Sequence, residues 1–284
     1  MQRVKKKQVP SNTMLLSKAI GFVILTLILF FIWDMSKTNM QAADQPAKLS
    51  ASSQFRDTST SMKAKDDSRK TLDAHFKINS NKHVTDQTIF LTFDDGPSAT
   101  TNQLLDVLKA HQVKATFFML GPQIKEHPAA VKRLHQEGHQ LGLHGITHDV
   151  KRFYQKSDSP VNEMKEDQRI LASVTGEYTH LVRTPYGSAP NLTDQQKARL
   201  KQKGFVYWDW TIDSLDWKYK SSKYVPEVLN QLQVLETKYP KEPKIILMHD
   251  QPATAKYLNS LITQLKAKGY TFEVLDETMK PLQQ

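Results

Sequence analysis

Apolar and polar positions change their pattern along this chain, and the changes divide it. Residues 14–33 are almost uninterruptedly apolar, from Met14-Leu15-Leu16 through Ile20 to Trp33, with Lys18 as the single charge. That run reaches the roughly 20 residues a helix needs to cross a bilayer, with Lys18 able to snorkel and Trp33 placed as an interfacial aromatic. Residues 34–85 are rich in Ser, Lys, Asp, Thr and Gln, with too little apolar sequence to bury, and read as a flexible tether. From residue 86 to 284 short apolar runs alternate with stretches at helical spacing, the pattern of a folded domain.

Within that domain Ile89-Phe90-Leu91-Thr92-Phe93 reads as a buried strand that stops at Asp94-Asp95-Gly96-Pro97. Helices are predicted over Asn102–His111, Pro128–Glu137, Val161–Val174, Thr193–Lys203, Pro226–Lys238 and Ala255–Lys268. Pro128 suits a helix start, Thr193 an N-cap, and Gly138, Gly176, Gly204 and Gly269 suit helix ends. Strands are predicted over Val113–Leu120, His139–Leu143, His180–Arg183, Phe205–Trp210, Ile245–Met248 and Tyr270–Leu275. Regular alternation of this kind predicts an α/β fold with a parallel sheet. About seven units predict a distorted (β/α) barrel, with its closure left open.

Charge and composition narrow the setting. Lys plus Arg number 39 and Asp plus Glu 29, giving a formal net charge of +10. Arg3, Lys5, Lys6 and Lys7, which precede the apolar run, and Lys18 within its first turns supply much of that excess. Basic residues on that side place residues 1–13 in the cytoplasm and the domain outside it. Met40-Gln41-Ala42 is a poor small-x-small cleavage site, so the segment is expected to remain as a single-pass membrane anchor rather than a removed signal peptide. No aromatic-basic platform suggests nucleic acid, and attraction to anionic lipid or wall polymer accounts for the charge more simply. No obligate protein partner is expected. The chain has no cysteine, which excludes thiolate metal sites, disulfides and a cysteine nucleophile, leaving His and carboxylate as metal ligands.

The polar residues that could do chemistry fall just after the predicted strands, where barrels and open α/β sheets carry their sites. Asp94 and Asp95 repel one another unless a cation lies beside them, so a divalent metal is expected, with one carboxylate ligating and the other free as a base. Alone, the stretch reads more readily as a solvated Asp-Asp-Gly-Pro turn, and the rest of the chain decides against that. His144 and His148 are four apart, close enough to share an ion if the segment turns, and with Asp95 they make a His-His-carboxylate set with a position left for water. Zinc suits that set, as do cobalt, nickel or manganese. Arg183, before Thr184-Pro185-Tyr186-Gly187, could fix a carboxylate such as Asp94, and the turn could present an N–H to an oxyanion. Asp213-Ser214-Leu215-Asp216-Trp217 follows the Trp208–Trp210 strand, and Leu247-Met248-His249-Asp250 ends the next. An Asp partner would raise the pKa of His249 and make it a proton donor.

These five stretches, in this order, resemble the polysaccharide deacetylase family, carbohydrate esterase family four, over roughly residues 86–278. The resemblance implies that Asp94 is the general base and that Asp95, His144 and His148 are the metal ligands. It implies that Arg183 orients Asp94, that the Tyr186 N–H binds the oxyanion, and that Asp216 tunes His249, the general acid. Trp217 and Leu247 would wall the acetyl pocket. Gly145 stands where the family carries Ser or Thr, from which a more mobile metal loop and weaker metal binding are expected, with Gly145→Ser tightening it. Asp149 replaces a common Pro and leaves the ligands untouched. The expectation is a metal-dependent hydrolase that removes N-acetyl groups from N-acetylglucosamine in a cell-wall polysaccharide, peptidoglycan first. The alternatives are an O-deacetylase of xylan or another acetylated polymer, and a silent glycan-binding protein.

Overall fold

The structure, a computed structural model, describes residues 84–284. The cytoplasmic segment 1–13, the anchor 14–33 and nearly all of the tether lie outside the described residues. Among the described residues no helix is long and apolar enough to cross a membrane.

Eight strands form one sheet: β1 (Thr88–Asp94), β2 (Thr116–Leu120), β3 (Gln140–Gly145), β4 (Leu181–Val182), β5 (Val206–Tyr207), β6 (Ile212–Asp213), β7 (Lys244–His249) and β8 (Thr271–Glu273). Their order is β5-β4-β3-β2-β1-β7-β6, and every pairing is parallel. On one edge of β1, β8 pairs with Thr88–Phe90 and β2 with Thr92–Asp94, while β7 runs along the other edge from Ile89 to Asp94. β5 and β6 end the path without pairing to each other, so the barrel stays open. The predicted strand Phe205–Trp210 is therefore shorter than expected. Its backbone leaves the sheet after Tyr207 and re-enters at Ile212 on the far side of the gap.

Nine helices join these strands among the described residues: α1 (Thr101–Ala110), α2 (Gly121–Glu126), α3 (Pro128–Gln136), α4 (Val150–Phe153), α5 (Ser159–Thr175), α6 (Asp194–Gln202), α7 (Asp216–Tyr219), α8 (Tyr224–Lys238) and α9 (Pro252–Ala267). The six long helices match the predicted ones within a turn. The short α2, α4 and α7 were not expected from periodicity, because a single turn is too brief to show one.

Strand alternation sorts the core into two layers. Ile89, Leu91 and Phe93 of β1, Phe117 and Met119 of β2 and Ile246 and Met248 of β7 face the helices in one large cluster. Phe90, Phe118, Leu181, Trp208 and Ile245 face inward, where Leu275 joins them and Met279 and Leu282 of the tail pack against the group. Gly142 makes room for that filling, since a Cβ there would lie 2.5 Å from the Phe118 ring. Two residues further along the same inward face come Asp94 after Thr92, His144 after Gly142, Arg183 after Leu181, and His249 after Leu247. One parity rule thus brings four polar side chains to the C-terminal mouth of a barrel whose floor is apolar.

Candidate active site

At the mouth, Asp94 is buried and its Oδ1 accepts a hydrogen bond from an Arg183 Nη1–H at 2.9 Å. Arg183 is completely buried and links the backbone that follows β5 to the end of β1. Its Nε–H donates to the Trp208 carbonyl, its Nη2 to the Asp209 carbonyl and its Nη1 also to Thr92 Oγ1. The guanidinium stacks 4.3 Å from the Phe118 ring centroid. A planar five-donor fork can bond two backbone carbonyls that follow one strand while reaching a hydroxyl and a carboxylate on another. Burial lifts Asp94 above the usual carboxylate range, against the pull of Arg183 and His249. Its free Oδ2 lies 3.8 Å from His144 Nε2.

Asp95 takes φ +71°, a left-handed conformation that Asp and Asn adopt more readily than most residues. Its Oδ1 stands 3.5 Å from His144 Nε2 and 3.2 Å from His148 Nε2. One donor atom from each of the three lies within 4.8 Å of the others. The same Oδ1 is buried with no hydrogen-bond partner among the described residues. His144 Nδ1 lies 2.7 Å from the Arg183 carbonyl, which holds the proton on Nδ1 and leaves the Nε2 lone pair facing Asp95. Burial lowers the His144 pKa to about 3, so the ring is neutral and able to ligate. An orphaned carboxylate oxygen beside two imidazole nitrogens fits a divalent cation.

The metal loop is braced by residues that the sequence reading passed over. Asp167 Oδ2 on α5 accepts the backbone N–H of His144 and of Gly145, at 3.0 and 2.8 Å. Glu163, one turn earlier, accepts the N–H groups of Ile146 and Thr147 on Oε2 and the Thr147 hydroxyl on Oε1. Gly145 has φ +95°, and a Cβ there would come within 2.9 Å of the Phe153 ring and 3.2 Å of Glu163 Oε2. This geometry runs against the expectation of a loose loop that serine would tighten. The braces come from α5, and the backbone there favours glycine. A signal was available: Asp167 occupies the buried face of α5 shared by Val161, Met164, Ile170 and Leu171, where a carboxylate is out of place unless bonded.

Across the mouth, His249 Nδ1 lies 2.7 Å from Asp216 Oδ1. Asp216 is fully buried; its Oδ2 also accepts the His249 backbone N–H and the Thr254 hydroxyl. Burial works to raise the Asp216 pKa, but the bonds and charge of His249 prevail and hold it low. Burial likewise works to lower that of His249, and the Asp216 bond and charge carry it up to about 9 instead. Asp94 and His249 are paired neighbours in the β1–β7 register, so candidate base and acid sit side by side.

Tyr186 adopts φ +63°, and its N–H has no acceptor among the described residues. The surrounding turn is fixed by Tyr154, whose hydroxyl donates to the Pro185 and Gly187 carbonyls, and by Asp209, which accepts from the Ser188 N–H and hydroxyl. The Gln284 N–H bonds the same Asp209, tying the tail to the turn. Asp250 holds the other turn, accepting the hydroxyls of Ser98 and Thr101. Trp217 is half exposed, with its backbone N–H bonded to Asp216 Oδ1, and Leu247 is buried on the inward face. All ten residues singled out in the sequence thus lie toward the C-terminal strand ends or in the loops and the short α7 that follow them.

A family model described as polysaccharide deacetylase matches residues 81–208. The chain is 47% identical over 282 residues to YheN of Bacillus subtilis (strain 168), whose name places it among polysaccharide deacetylases; the match covers 99% of both chains. It is 43% identical over 189 residues to a peptidoglycan-N-acetylglucosamine deacetylase of Bacillus cereus, covering 66% of this chain and 69% of that one. The crystal structure of the polysaccharide deacetylase Bc1974 from Bacillus cereus superposes with a TM-score of 0.62 at 42% identity, covering 69% of this chain and 96% of that one. With motifs, mouth geometry and relatives in agreement, the chain belongs to the polysaccharide deacetylase family.

Proposed function

We propose that this protein is a membrane-anchored N-deacetylase that acts outside the cytoplasm on N-acetylglucosamine residues of peptidoglycan. The observation that carries the reading is the pairing of Asp94 and His249 on adjacent strand ends beside the Asp95-His144-His148 set. Amide hydrolysis needs a base for water and an acid for the departing nitrogen, and the mouth offers both. A divalent cation held by Asp95, His144 and His148, zinc by preference, would polarise the acetyl carbonyl and acidify water.

Arg183 occupies Asp94 Oδ1, which leaves Oδ2 to take the proton of the attacking water as its oxygen bonds the carbonyl carbon. The Tyr186 N–H would stabilise the negative oxygen that results. His249 then gives its proton to the amide nitrogen as the C–N bond breaks, and acetate and a free amine leave. Asp216 holds the imidazole in the orientation and charge that this step needs. Peptidoglycan as the polymer rests on the names of the relatives, and the anchor rests on the apolar run at 14–33 with its basic flank.

The test is incubation of the metal-loaded protein with purified peptidoglycan, chitooligosaccharide and acetylated xylan, scoring acetate and free amines separately. Equal amounts of acetate and amine from peptidoglycan are expected. Acetate without amines would mean an O-deacetylase, and glycan binding without acetate a silent binding protein. Fractionation should find the mature chain in the membrane; a soluble form beginning near Ala43 would refute the anchor alone.

A further inference from the structure

Beside the acid lies a cavity that the mechanism does not use. It measures about 430 Å³ and is lined by Lys220, Gln251, Pro252, Ala253, Lys256 and Tyr257. Lys220 directly follows α7, which begins with Asp216 and Trp217, and Gln251 stands two residues after His249. The cavity is therefore tied by short backbone links to both members of the acid pair.

Its chemistry points one way. Two lysines line it and no carboxylate does. Lysine–carboxylate pairs among the described residues are Lys109–Glu137 and Lys244–Glu236, so neither cavity lysine is neutralised by a partner. Lys220 adopts φ +45° at the end of α7, a position where glycine would avoid strain but would bring no charge. Gln251 is the N-cap of the 16-residue α9, yet its side chain makes no capping bond, and its Nε2 is buried without an acceptor among the described residues. A buried amide donor without an acceptor is costly unless a ligand supplies one. The first turn of α9 adds free N–H groups and the positive end of the helix dipole.

We infer that this cavity is a subsite for a carboxylate on the glycan, carried by the sugar next to the one that is deacetylated. The inference rests on the proposed glycan substrate and adds a specificity to it. In an N-acetylmuramic acid residue the lactyl ether ends in a carboxylate, and alternation with N-acetylglucosamine places that acid one sugar from the reacting acetamide. Lys220 and Lys256 would meet the two oxygens, with the Gln251 Nε2–H as a third donor. Neutral chitooligosaccharide leaves all three without a partner.

The experiment compares three probes on the metal-loaded protein: a peptide-free peptidoglycan tetrasaccharide with free lactyl carboxylates, the same sugar with those carboxylates converted to methylamides, and chitotetraose. Binding is read by calorimetry and acetate release separately. The acid form should bind about tenfold more tightly than the methylamide, a difference equal to about 1.4 kcal/mol. Lys220→Gln with Lys256→Gln should remove that preference and its salt dependence while leaving chitotetraose binding unchanged, and Lys220→Arg should retain it. Equal binding of acid and methylamide by the wild-type protein would overturn the subsite, as would a double variant that weakens all three probes alike. Acetate release reports separately on the deacetylase reading: an acid preference in binding without any acetate would sink that reading and leave the subsite standing.

Discussion

Asp216 grips His249 at two points: one carboxylate oxygen lies 2.7 Å from the ring Nδ1 and the other accepts the residue's own backbone N–H at 2.8 Å. Ring and backbone are thereby fixed together, and the imidazolium is favoured over the neutral ring up to about pH 9. An acid must carry its proton to act, so turnover should fall as pH rises through that region. Asp216→Asn should move the falling limb of the kcat profile to lower pH by at least about one unit, the effect of losing an adjacent opposite charge. An unmoved limb would assign it to another group. His249→Ala should slow N-deacetylation ~10²–10⁴-fold and an activated aryl acetate much less, because an aryl oxide leaves without help.

The buried Arg183–Asp94 pair makes the opposite limb testable. Burial raises Asp94 and Arg183 holds it back, so the base is lost as pH falls through its raised pKa. Arg183→Lys cannot bond Trp208, Asp209, Thr92 and Asp94 together. It should shift the rising limb to higher pH and lower stability by about 3–5 kcal/mol, as breaking a buried pair does. A melting temperature and pH profile matching wild type would show that the fork is dispensable.

Adjacent acids should fail in different ways. Asp94→Asn should retain metal and lose turnover ~10²–10⁴-fold, since an amide cannot take the water proton. Asp95→Asn, like His144→Ala or His148→Ala, should lose metal affinity first. Metal analysis of the purified variants decides, and the reverse pattern would exchange the two roles. Full activity in demonstrably metal-free protein would remove the metal from the reaction.

Gly145→Ser should weaken metal retention and cost about 1–3 kcal/mol, because a side chain at φ +95° is strained and meets the Phe153 ring. Glu163→Gln should loosen the same loop and raise the metal dissociation constant several-fold, within the range seen for groups that support ligands. Calorimetric metal titration measures both. Tighter binding by the serine variant would restore the view that a hydroxyl is missing there.

Part of this is legible in the sequence, and for a local reason. Helix and strand order follow from periods of 3.6 and 2, which a run such as Ile89–Phe93 or Val161–Val174 displays within itself. Site residues stood out as polar groups at the ends of apolar runs. The short α2, α4 and α7 were not legible because one turn shows no period. Asp209 and Asp250 were not legible because their partners, Ser188 in one case and Ser98 and Thr101 in the other, are distant in sequence.

By itself, the sequence determined the parallel α/β alternation, the five stretches that carry the chemistry, and the absence of thiol ligands. Tertiary structure alone decided that the barrel stays open, that Arg183 links the backbone after β5 to β1, and that Asp94 turns one oxygen to Arg183 and the other toward His144. It also decided that α5 braces the metal loop and that lysines without a carboxylate partner line the cavity that Gln251 borders. These depend on contacts between residues as far apart as Asp94 and Arg183. Such contacts exist only once strand register and burial have chosen which side chains share a face.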